Sequence, residues 1–378
     1  DLNELNIQSG GAIALNSTLN DVNVIKVTGS TSTNLPTSFS YSDIDPQVHT
    51  SDSISIDQME VNGNIVINLG VGELTINSQI QTPGDMTLFT HGNIVETSLG
   101  GIQANNLAIT SGGSILLDNQ ANNHVGRLSA TTTNNYVAGG GTPDGSITYS
   151  DNGSVTLGAL STSIGIGDIT VNSVANLKVD SNVDAGSRAV NLNFGGNLDL
   201  SSGATMTGNG GVTAKGTSNS SKIIGSNTGG QFQIDVTTSS SGTYTDSPTG
   251  TTPTLTYTNV TNLAGGGTYK LGGGSSSTVG GFSFTNTGGD TTINSLTVNG
   301  ALDVSSGTLN VNGAVNAGSG TVALSSTGDL KLESSITTTN NTAASDTAAA
   351  ITLKAGSVTA AGIVTGGNIK VNGGLVVT

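Results

Sequence analysis

Four carboxylates and two cations crowd one short stretch of the chain: Asp168, Asp180, Asp184 and Asp199, with Lys178 and Arg188 among them. Clustered carboxylates beside a base equip polysaccharide lyases and glycoside hydrolases, in which one carboxyl donates a proton and another activates water or attacks. The spacing supports a different use. Asp199 follows Lys178 by 21 residues, so in a chain repeating at that period the two side chains are outward neighbours in adjacent turns. They are expected to form an exposed ion pair, worth under about 1 kcal/mol, and no catalytic residue is assigned.

The histidines are His49, His91 and His124. None has a second histidine or a carboxylate at ligand spacing, so no metal site is expected. His91 and His124 are expected as exposed residues at bends. The absence of cysteine excludes disulfides and thiolate metal centres. The glycine-rich pieces "GGGT" from Gly139 and "GGGSSS" from Gly272 lack the helix and lysine that complete a phosphate cradle. "TPDGS" from Thr142 and "GGDTT" from Gly288 do not complete a calcium-binding nonapeptide. No cofactor is expected, and the chain is expected not to be an enzyme.

What, then, must position these side chains? Of 378 residues, 56 are glycine and only 9% are charged, against about 25% in an average domain. The surface must therefore be built from Ser, Thr, Asn and Gly. Ten basic against 25 acidic residues give a net charge of −15, with no basic cluster to displace counterions from phosphates. Nucleic acid is excluded as a partner on that ground. Every apolar run falls far short of the roughly 20 residues that span a bilayer, so no membrane insertion is expected. The opening "DLNELNIQSGG" has neither the basic nor the apolar region of a secretory leader.

The organising feature is a five-residue unit: Gly, a small polar or acidic residue, apolar, any, apolar. It reads "GNIVI" from Gly63, "GELTI" from Gly72, "GDMTL" from Gly84, "GSILL" from Gly113, "GDITV" from Gly167 and "GDLKL" from Gly328. Apolar residues at i and i+2 mark a strand with one buried face, and the glycine is expected to supply the bend before it. The pairs recur in register. Ile147/Tyr149 leads to Ile169/Val171 and Val190/Leu192, while Val155/Leu157 leads to Leu177/Val179 and Leu198/Leu200, in steps of about 21 residues. Ile65/Ile67, Met86/Leu88 and Leu107/Ile109 form one further column, and Leu74/Ile76, Ile94 and Ile115/Leu117 another. Near the other end, Leu302/Val304 leads to Val322/Leu324 and Leu309/Val311 to Leu330/Leu332.

A fixed period with two or three short strands per turn predicts an all-β fold, a single parallel β-solenoid over 1–378 with turns of about 21 residues. A β-sandwich also uses short alternating strands but needs no such fixed register. About 15 regular turns would make a rod of roughly 70 Å at about 4.8 Å per turn. Four segments are expected to leave the rod as excursions: 28–53, 118–145, 217–289 and 337–349. The third carries half of the tyrosines and phenylalanines and is the one expected to hold a small core of its own.

The run "GNIVETSLGGIQANNLAITSGGSILLDNQANNHVGRLSA", Gly92 to Ala130, followed by "GSITYSDNGSVTLGALSTSIGIGDITVNS" to Ser173, resembles the repeat regions of filamentous-haemagglutinin-like large exoproteins of Gram-negative bacteria. The resemblance covers about 80 residues well. It implies a right-handed parallel β-helix, secretion to the outer cell surface, and an adhesive or structural role in surface attachment. On that footing the chain is expected to be a passenger segment whose partners are a glycan or protein of a host or neighbouring cell. Homopolymerisation through open solenoid ends, since "GGNIKVNGGLVVT" stops in mid-pattern, is the other partner expected. The alternatives from a different class are a β-helix polysaccharide lyase or hydrolase and a glycan-binding module.

Overall fold

A computed structural model describes residues 2–17, 20, 22–44, 53–70, 72–133, 145–162, 167–218, 221–225, 231–235, 241–245, 255–258, 262–264, 268–271, 278–279, 282–293, 296–298, 300–340, 350–360, 364–365 and 369–377. Among them there is no helix, so none is long and apolar enough to cross a membrane. Parallel strands stack into a β-solenoid of about 12 turns with a spacing near 21 residues. The turns are fewer than the mean period allows because some are lengthened: Ile147 stacks on Ile115, and Ile351 on Val322, across much longer steps.

The expected columns are present residue for residue. In one, Ile54, Leu74, Ile94, Ile115, Ile147, Ile169, Val190 and Val212 lie directly over one another, each paired with the next through a parallel ladder. In a second, Phe39, Ile65, Met86, Leu107, Leu128 and Leu157 do the same. These side chains are buried, so each turn closes its apolar face on the turn before and after it. Leu177 stacks on Val155 and Leu198 on Leu177, as the spacing predicts.

The chain divides into two compact units, Asp1–Ser218 and Asn219–Thr378. The second repeats the logic of the first: Leu302, Val322, Ile351 and Ile369 are in register, as are Leu309 and Leu330. A separate short ladder joins Leu296, Val315, Ile336 and Val364.

The expected excursions need redrawing. Within 28–53, Ser38–Asp43 is a strand of the sheet with Phe39 and Tyr41 buried. Within 118–145, His124–Thr132 is likewise a ladder strand, with Val125, Leu128 and Ala130 buried. Both were obscured by neighbouring polar residues that shift the spacing; residues 45–52 and 134–144 lie outside the described set. The 217–289 segment holds an antiparallel departure: Gln231–Asp235 pairs with Ser241–Thr245, and that strand with Leu255–Thr258, where Leu255 and Tyr257 are buried. Of 337–349, Thr337 still belongs to the strand Ile336–Thr337, and 341–349 is not described.

The corners explain the recurring glycine differently from a simple bend. A buried Ser or Thr at the end of a strand donates its hydroxyl to a glycine carbonyl of the previous turn: Thr90 to Gly72 at 2.7 Å, Ser111 to Gly92 at 2.6 Å and Ser326 to Gly307 at 2.6 Å. The same Thr90 oxygen accepts the amide of Gly92 at 3.1 Å, and that of Ser111 accepts Gly113 at 3.2 Å. Two backbones thereby meet without room for a side chain. A Cβ on Gly92 would lie 1.9 Å from the Gly72 carbonyl oxygen. The Gly92→Ala substitution is therefore expected to lower the urea midpoint, by the equivalent of about 1–3 kcal/mol for overpacking against a fixed neighbour. An unchanged midpoint would show that these corners are not close-packed.

Candidate functional site

The ladder that packs side chains inward also stacks the outward ones. Glu60 pairs with Gln81, Gln81 with Gln103, and Gln103 with His124, so residues 21 or 22 apart in sequence become a row crossing four adjacent strands. This row borders a groove of about 420 Å³. Leu35, Val61, Pro83 and Ala104 supply its apolar lining, and Asn105 a further amide. The Gln81 amide donates to Gln103 Oε1 at 3.2 Å, and Gln58 donates to Glu60 at 3.2 Å. Among the described residues no Lys or Arg lines the groove.

His124 closes one end of the row. It opens the strand His124–Thr132 and its side chain is 54% exposed, yet Nδ1 is held at 3.2 Å by Asp151 Oδ1, a carboxylate with no exposure at all. Asp151 occupies the corner position that Ser or Thr fills in other turns: its backbone pairs with Ser173, and it accepts the Gly153 amide at 2.7 Å. A carboxylate there reaches further than a hydroxyl. Its second oxygen accepts the Tyr149 hydroxyl at 2.6 Å and the Val125 amide at 2.9 Å. Burial and the adjacent Asp151 charge push the Tyr149 phenol far above its ordinary value, so it remains a donor. Asp151 thus accepts from every side, which makes His124 Nδ1 the N–H and leaves Nε2, as an acceptor in the neutral ring, with no partner among the described residues.

Behind this row, one inward position departs from the apolar rule. Ile76 pairs with Glu96, and Val95 with Leu116, so Glu96 stands in the stack where the next turns place Leu117 and Tyr149. Glu96 Oε1 accepts the Asn119 amide and, at 2.8 Å, the Asn123 side chain; Oε2 is buried without a partner. Burial dominates over these hydrogen bonds and pushes the carboxyl up to about 7. Asn123 is itself buried, and its oxygen accepts the Ile102 amide at 2.8 Å.

The carboxylates that the sequence singles out do not converge. Lys178 and Asp199 are cross-strand partners as expected, but they do not form the expected ion pair. Lys178 Nζ lies 3.2 Å from Asp180, which also receives Arg127 Nη1 at 2.7 Å. Those cations hold the Asp180 carboxyl below its ordinary value. Asp199 accepts the Ser201 amide at 2.9 Å, Asp184 that of Gly186 at 2.9 Å, and Asp168 that of Ala189 at 3.0 Å. Asp168 thereby joins two turns, while Asp184 and Asp199 each close a local bend two residues on. Arg188 is exposed. His91 is half-buried rather than exposed, its ring edge-on to Phe89 at a centroid distance of 5.1 Å. His124 lies in a strand rather than at a bend and does have a carboxylate partner; the added residues between 133 and 145 put that partner, Asp151, off the regular spacing. His49 lies outside the described residues. Among the described residues no three His, Asp or Glu side chains gather as ligands for a metal ion.

No family model matches the chain, and no curated protein and no solved structure matches it. The site therefore stands on its own geometry.

Part of what the sequence-based expectations missed follows the repeat. Glu60, Gln81, Gln103 and His124 follow the same period as the core, one position to the outside. Glu96 breaks the five-residue unit, "GNIVE" against "GNIVI". It also carries a prediction. The folded state keeps a proton on Glu96 that the unfolded chain, near the ordinary value of 4.5, gives up earlier. Stability is thus fullest below about 4.5, falls as pH rises from there to about 7, and loses nothing further from this group beyond. Glu96→Gln is expected to remove that fall; urea midpoints between pH 4 and pH 8 test it, and an equal fall in the variant assigns the effect elsewhere.

Proposed function

We propose that the chain is a β-solenoid segment of a secreted bacterial surface protein, resembling the filamentous-haemagglutinin-like exoproteins, and that it serves as an adhesive shaft. The observation that carries this is the use to which the polar side chains are put. Inward positions are spent on stacking, corners on fastening one turn to the next, and the candidate carboxylates on structural hydrogen bonds. What remains for a partner is an outward surface of stacked Gln, Asn, Ser and Thr. A chain without cysteine is compatible with export across membranes in an unfolded state.

Catalysis is the less favoured alternative on distance. Glu60 and His124, the two ionisable groups among the described residues of the groove, are three strand spacings apart, roughly 14 Å at about 4.8 Å each. Glycoside hydrolysis needs its two carboxyls within about 9.5 Å of each other. Hydrogen-bonding groups spread along a groove serve binding better than bond cleavage.

Beads coated with the whole chain are expected to adhere to epithelial or bacterial cell layers well above beads coated with an inert protein. Antibody against the chain is expected to label intact cells of the producing bacterium. Adhesion at the control level would remove the adhesive role, and labelling only after permeabilisation would remove the surface location.

A further inference from the structure

Two grooves in the first unit carry stacked polar side chains, and their hydrogen bonding separates them. In the groove of about 610 Å³ bordered by Ser150, Asn172 and Asn193, the side chains bind one another: Asn172 donates to Ser150 at 2.9 Å and Asn193 to Asn172 at 2.7 Å. In the groove bordered by Glu60, Gln81, Gln103 and His124, the row is bonded only in part: Gln81 donates to Gln103, and no bond joins Gln103 to His124. Among the described residues Gln103 Nε2 and His124 Nε2 have no partner, so one donor and one acceptor face the groove a single strand spacing apart. His124 is moreover held in place by a fully buried carboxylate. An exposed imidazole fixed from behind presents its free nitrogen at a set point, a device that costs a buried charge.

We infer that this groove binds a linear, neutral polysaccharide lying along the stacking direction, with successive sugar hydroxyls taken by Gln81, Gln103 and His124. This rests on the adhesive reading and names the class of ligand for it. Three features select that ligand. The binding groups recur once per turn, at about 4.8 Å, and a pyranose unit in an extended chain advances by nearly the same rise, so one sugar meets one turn. The groups are amides and an imidazole, which exchange hydrogen bonds with hydroxyls in both directions. Leu35 and Pro83 beside the row offer apolar surface for the C–H face of a ring. Charge excludes the other large class of glycans. With Glu60 in the row, no Lys or Arg among the described residues of the lining and a chain charge of −15, a uronate or sulfated polymer meets repulsion.

The test uses the whole chain, titrated calorimetrically with cello-, manno- and xylo-oligosaccharides, their monosaccharides, and oligogalacturonate. At least one neutral oligosaccharide is expected to bind at least tenfold more tightly than its monosaccharide and than oligogalacturonate. The double variant Gln81→Ala/Gln103→Ala is expected to lose at least tenfold in affinity with an unchanged melting temperature, while Asn172→Ala/Asn193→Ala keeps full affinity. Equal or tighter binding of oligogalacturonate overturns the neutral assignment, and loss of affinity only in the Asn172/Asn193 variant overturns the choice of groove. Should Gln81→Ala/Gln103→Ala alter the melting temperature, Gln103→Glu, which keeps the shape of the side chain, replaces it, and undiminished affinity there overturns the inference. No neutral oligosaccharide binding by a chain whose coated beads still adhere to cells overturns this inference and leaves the adhesive role standing. Binding without bead adhesion supports the groove and removes the adhesive role.

Discussion

The fixed rise of the parallel ladder is the constraint on which everything else in this protein depends. Strands hydrogen-bonded turn to turn sit about 4.8 Å apart, and each residue lies over its equivalent. No turn can bury its apolar face alone, so each inward position must match the ones above and below it. Size is traded between neighbours where it cannot be equal: Phe194 stacks between Ser173 and Gly216, and Tyr149 between Leu117 and Val171. At the corners the same rise brings backbones into contact, as where a Cβ on Gly195 would meet the Val174 carbonyl oxygen at 1.9 Å, and on Gly320 the Gly300 oxygen at 2.0 Å. Glycine is needed there for closeness; of the glycines that open the repeated unit, Gly72 also adopts the left-handed conformation, at φ 94°.

Polar groups enter the interior only where the corner geometry receives them. A hydroxyl at the strand end donates its one proton to a glycine carbonyl and accepts one glycine amide. Asp151 keeps the second of these bonds and converts the remaining reach into contacts with Tyr149, Val125 and His124. Glu96 is the harsher case, because it replaces an aliphatic side chain in the stack itself and has donors on only one oxygen. The two carboxyls lie two turns apart along the stack and are met differently: one is surrounded by donors, the other is held in a place that favours its neutral form.

The apolar columns were legible in the sequence because they obey two periods at once, alternation within a strand and about 21 residues between turns. Ile147, Ile169 and Val190 need no structure to be aligned. The strands Ser38–Asp43 and His124–Thr132 were not legible in the same way. Each sits beside inserted polar residues, and an insertion leaves the ladder intact while shifting every residue number after it. The candidate site suffered from the same arithmetic. Gln81 and Gln103 lay in plain register, but polar outward residues are the commonest type in this chain, and only the three-dimensional groove distinguishes that row from the others. Asp151 could not be linked to His124, since 27 residues separate the pair. Arg127 and Asp180, 53 residues apart, could not be linked for the same reason.

A rigid repeat also limits what chemistry the surface can support. Two groups acting on one bond must come from the same turn or from turns that a side chain can span, at most two for the long Arg127 that reaches Asp180. At adjacent turns this chain repeatedly sets a carboxylate against an amide: Asn77 donates to Asp57 at 3.0 Å, Asn93 to Glu73 at 3.2 Å and Asn106 to Asp85 at 2.6 Å. Stacked carboxylates would repel, and an amide one turn away removes the repulsion while adding a hydrogen bond between turns. The pairing that stabilises the stack is thus the pairing that separates acids from one another. A surface built this way displays hydrogen-bonding groups at a constant rise and keeps paired acids rare, which suits it to hold a periodic partner along its length more than to cut one.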